Sequence, residues 1–102
     1  MINLVAAASF YAFSVFCHPS FASNPNAVES CIAMVSAKSP HADKAACDAD
    51  VNEGIRLFAQ GGYTRMLEDK GASINFACEQ SDKEPTDAYL IKKYGIIARD
   101  PA

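Results

Sequence analysis

Four cysteines and two histidines are the side chains in this chain best suited to chemistry. Their spacing points to cross-linking rather than to catalysis or metal binding. Zinc sites need three or four ligands at characteristic spacings. No C-x-x-C occurs here, and Cys47 is not a helical neighbour of His41. A Cys–His nucleophile pair lacks any supporting signature for the same reason. No C-x-x-C-H haem attachment is present, and Gly61-Gly62 is not followed by the Lys-Ser/Thr of a phosphate loop.

The acidic run Asp48-Ala-Asp50-Val-Asn52-Glu53-Gly54 has the look of a calcium loop. An EF-hand requires glycine at its sixth loop position and a bidentate glutamate at its twelfth. Counted from Asp48, those places hold Glu53 and Ala59. The run therefore reads as the solvated face of a helix. No cofactor, no metal and no catalytic residue is expected.

Cys31 and Cys47 carry a geometric expectation. They lie at equal distance on either side of Ser39, which Pro40 follows. If that dipeptide is the bend of a helical hairpin, equal rise in both arms brings the two thiols level. The expected disulfide is Cys31–Cys47, with Cys78 left over. Cys78 is then either a free buried thiol or an intermolecular link in a homodimer.

The elements that must position these thiols follow from charge and periodicity. The first charged side chain is Glu29, and every Lys, Arg, Asp and Glu lies from there on. Residues 4–16 are an apolar run, Pro19 ends it, and Ser20-Phe21-Ala22 offers small residues where a signal peptidase reads. Residues 1–22 are read as a cleaved signal peptide, although no Lys or Arg precedes the run. The run is short for a membrane span, which takes about 20 apolar residues. Cleavage leaves residues 23–102 as one small domain without Cys17 or His18, and places it in the periplasm or outside the cell.

Within 23–102, apolar residues recur at helical spacing. Val28, Cys31, Ile32 and Val35 form one stripe, up to Ser39-Pro40; Cys47, Val51, Ile55 and Phe58 form a second, up to Gly61-Gly62. A short helix is expected over 63–70 and a last one over 85–94. The stretch 72–78 fits a helical face and also alternates like a strand. No other segment of the mature chain alternates to pair with it, so helix is the expectation. The fold class expected is all-α: four to five short helices with one disulfide. Gly54 is read as a site of close packing, and the aromatics as core.

The net charge of −3 belongs wholly to 23–102, which argues against nucleic-acid binding. After cleavage no membrane contact is expected. A domain this small, with one histidine and no acid–base pair, is read as a non-catalytic exported binding protein. An inhibitor or immunity-type protein fits, as does an accessory of a cell-envelope or secretion system. The alternative is an assembly subunit retained at the membrane; a small thiol-dependent enzyme comes last. A protein partner is expected, with Asp48, Glu53, Asp82 and Glu84 as the acidic surfaces it would meet.

Overall fold

The structure, a computed structural model, describes residues 9–18, 31–68 and 72–95. It corrects the all-α expectation. Among these residues are two α-helices, a 3₁₀ helix and a three-stranded antiparallel sheet. In chain order they are β1 (Ser9–Cys17), β2 (Cys31–Val35), α1 (Lys44–Gln60), the 3₁₀ helix (Tyr63–Glu68), β3 (Ser73–Ser81) and α2 (Asp87–Tyr94). The strand order is β2-β1-β3, so β1 is the middle strand.

Strand β1 is most of the apolar run read as a leader. It reads as continuous hydrophobe because both of its faces are covered. Tyr11, Phe13, Val15 and Cys17 point to one face and are all buried. Ala12, Ser14 and Phe16 point to the other. Cutting after Ala22 would remove this strand and leave the other two unpaired. The motif Ser20-Phe21-Ala22 and residues 24–30 of the expected first helix lie outside the described residues.

With β1 in place, the ambiguous stretch 72–78 has its partner. Phe13 lies opposite Ala77, Ser14 opposite Phe76 and Phe16 opposite Ile74. On the other edge, Phe13 meets Val35 and Ser14 meets Met34. Residues 31–35 are thus a strand rather than the helical stripe expected there. Five consecutive apolar residues satisfy either period, and pairing with β1 decides between them.

Helix α1 agrees with the second stripe but starts later than Ser39. Asp43 caps it, accepting from the Ala46 N–H at 2.8 Å. Ser39 is engaged elsewhere: its Oγ accepts from the Ala12 N–H at 2.9 Å and ties the connecting loop to β1. Gly61 caps the far end, and Gly62 takes φ +80°, a left-handed conformation that favours glycine. Gly54 lets the helix close on β3, where the Phe76 ring lies 3.4 Å from the place a Cβ would take. Helix α2 is capped by Thr86, which accepts from the Tyr89 N–H.

The two helices take opposite faces. Helix α2 lies on β2 and β1, closing a core of Phe13, Val15, Cys17, Cys31, Ala33 and Leu90. Tyr94 stacks on Phe13 with ring centroids 4.7 Å apart. Helix α1 lies on β1 and β3, where Phe58 meets the rings of Phe16 and Phe76.

The disulfides differ from the expected pairing. Cys17 is bonded to Cys31, and Cys47 to Cys78, leaving no free cysteine. Cys31 and Cys47 cannot face each other because one is on a strand and the other on a helix across the sheet. Cys78 is spent within the chain and is not available for a covalent homodimer. Chain entropy assigns each bridge about 3–4 kcal/mol, for separations of 14 and 31 residues.

Leu90 is 0% exposed and seals α2 onto the sheet. Leu90→Ala should destabilise the fold by about 2–5 kcal/mol, as buried leucine truncations do. Urea unfolding followed by circular dichroism reads this out.

Candidate functional site

Helix α1 packs mainly on β1 and β3, so among the described residues one side of β2 is left open. Ile32 and Met34 alternate with buried Cys31 and Ala33 and are 47% and 65% exposed. Between this strand and α1 runs a groove of about 400 Å³. Met34, Val51, Leu57, Gly54 and Phe76 make its apolar walls. Ile55 and Leu57 are themselves about half exposed on α1.

One end of the groove is polar, with Ser36, Lys38, Asp50 and Glu53. His41 stands behind it. Its backbone pairs with Phe10, and its Nε2 lies 2.8 Å from Asp50 Oδ2. The ring is largely buried, because this bridge folds it under α1. Burial works to raise the Asp50 pKa, but hydrogen bonds from Ser36 and His41 and the charges of His41 and Lys38 outweigh it. The carboxyl sits below its ordinary range. Serine and histidine both serve the carboxylate, so the order needed to activate a serine through histidine is absent from this cluster.

A second polar cluster fastens α2 to β3. Glu79 accepts from the hydroxyls of Tyr89 and Tyr94 and from Lys93 Nζ at 3.2 Å. The ammonium also lies 5.5 Å from the centroid of each tyrosine ring. Burial pushes the Glu79 pKa up, yet these hydrogen bonds bring it below the usual carboxylate range. Lys93 is held above the usual lysine range by its bonds with Tyr89 and Glu79.

The acidic residues named from sequence do not converge. Asp48 pairs with Lys44 at 2.9 Å, and Glu53 with Arg56 through two hydrogen bonds. Asp82 and Glu84 are exposed in the loop after β3. Of the four, only Glu53 borders the groove. The side chains that build it, Met34, Val51, Leu57 and Phe76, were read as ordinary core or helix-stripe residues, or not singled out. No local signal points to them: β1 is covered on both faces and reads like a leader's apolar run, so the two strands beside it have nothing in the sequence to place them.

Among the described residues, no three His, Cys, Asp or Glu side chains gather to hold a metal ion. No helix there is long and apolar enough to cross a membrane. No family matches the chain, and no significant match is found to a curated protein or a solved structure.

The lowered carboxylates of Asp50 and Glu79 make the same pH prediction. A folded-state pKa below the unfolded one stabilises the fold at neutral pH, and this is lost as pH falls through the folded value. Stability should therefore drop below about pH 4. Asp50→Asn should cost about 1–3 kcal/mol at pH 7 and flatten that acid slope. Denaturant midpoints from pH 2 to 7 test both statements.

Proposed function

We propose that this protein is a small, disulfide-stapled binding protein of an oxidising compartment, periplasmic or secreted, and that it performs no catalysis. It acts by holding another protein in the groove between α1 and β2. The observation that carries this reading is the opening left by the uneven cover of the sheet. Its walls are apolar, Met34 and Leu57 on either side of it are more than half exposed, and Ile32 on the same face of β2 is nearly so. Contiguous exposed apolar surface of this kind marks interaction sites on small proteins.

The cross-links support this choice of compartment. Disulfides persist in oxidising surroundings and are rare where thiols are kept reduced. Two bridges among 102 residues also suit a domain too small to rely on its core alone. Export then has to leave β1 in the folded protein. An inhibitor that occludes an enzyme and an accessory of an envelope assembly both use such a surface.

Site-specific photo-crosslinking in the producing cell tests the reading. Leu57 borders the groove, while the exposed Ala59 lies about 200° further round the helix. A crosslinking residue at position 57 should give one discrete protein adduct, and the same residue at 59 should not. Equal labelling from both, or none from either, contradicts the reading.

A further inference from the structure

We infer that the outer edge of β2 accepts an additional β-strand, supplied by an extended, uncharged segment of the partner with apolar side chains at alternate positions. The inference deepens the proposed function and rests on it.

Strand β2 has one edge bonded to β1, and among the described residues no strand pairs with the other. The phase of its backbone is set by the Ser36 N–H, which donates to the Ala12 carbonyl at 2.8 Å. Antiparallel pairs alternate between bonded and non-bonded. Ile32 and Met34 thus turn their backbone groups toward β1, and Cys31, Ala33 and Val35 turn theirs outward. Among the described residues, that outward row meets no partner strand and forms a hydrogen-bonding template.

Edge strands are ordinarily protected by charge, proline or bulges. The opposite edge, β3, carries Asn75, Glu79 and Gln80. Strand β2 reads Cys-Ile-Ala-Met-Val and has no such protection. On the groove side it presents Ile32 and Met34. A strand laid beside it, about 4.8 Å away, would set every second side chain against them.

The occupant follows from size, shape and charge. A second copy of this chain fits poorly. Ile32, Met34 and Leu57 are each about half exposed or more and offer on the order of 100 Å² apiece, well short of the roughly 800 Å² per partner of a stable interface between two folded chains. Helix α2 also lies over β2 on the opposite face. Pairing two β2 strands about a two-fold axis would bring the two α2 helices to about 5–10 Å, at or inside normal packing distance. A lone extended segment brings no helix and gains affinity from main-chain bonds. The groove's carboxylates are already served, Asp50 by His41 and Glu53 by Arg56. Lys38 at the same end acts on both carboxylates, so with Arg56 the basic groups match the acidic ones, and an uncharged occupant leaves that balance in place.

The test uses the full oxidised chain as bait for a phage-displayed library of random dodecapeptides. Selected peptides should alternate apolar residues and lack charge. A synthetic copy should slow hydrogen exchange at the Ala33 and Val35 amides. N-methylating two of its β2-facing amides should weaken binding by about tenfold or more, because two main-chain hydrogen bonds are lost. Met34→Asp should weaken it too, with circular dichroism confirming the fold. Binding indifferent to N-methylation, or without protection of Ala33 and Val35, overturns the added strand but leaves the groove as the partner site. Failure to enrich any peptide also overturns it. So does protection of those amides by self-association alone. The photo-crosslink at position 57 judges the broader reading separately.

Discussion

Strand β1 is bonded along both edges and covered on both faces, and every other element takes its place from it. Its register with β2 brings Cys17 opposite Cys31, with Cα atoms 3.9 Å apart. Its register with β3 brings Ala12 opposite Cys78, which places that cysteine under α1 for its bond to Cys47. The loop before α1 is tied to it as well, through the Ser39 hydroxyl on Ala12 and the His41 backbone on Phe10. Without β1, two strands would lack a partner and both helices would lose part of the surface they bury.

The same layering produces the candidate site. Three strands are wider than one helix can cover. Helix α1 is held toward β3 by Cys47–Cys78, by Gly54 against Phe76 and by the packing of Phe58. Helix α2 sits toward β2 on the other face, fixed by Leu90 and by Glu79 with its tyrosines and lysine. Each helix leaves the far strand of its own face less covered. On the α2 side that strand is polar β3. On the α1 side it is apolar β2, and there the groove opens. The polar end at Asp50 and His41 belongs to the joint between loop and helix, and it orders the wall.

Local signals in the sequence were legible where the chain decides its own conformation. The stripe ending at Gly61-Gly62, the tight approach at Gly54 and the last helix before Gly95 all appear in the fold. What failed was a single choice with wide consequences. A strand buried on both faces has the composition of a leader's apolar core, because both must be hydrophobic and uncharged. Once 9–17 was set aside, Ser73–Ser81 had no partner and defaulted to helix, and Cys31 had only Cys47 or Cys78 to bond. Cys31–Val35, apolar throughout, could not signal its own period. The groove was invisible for the same reason, since it exists only between a strand and a helix that the sheet brings together.

The central claim is that Ser9–Cys17 is an integral strand of the folded protein. Peptide mapping of the non-reduced protein, isolated from the compartment where it accumulates, tests it most directly. The fold predicts two cross-linked peptide pairs, Cys17 with Cys31 and Cys47 with Cys78. A Cys31–Cys47 peptide, or a folded protein that begins after Ala22 and lacks Cys17, would contradict it.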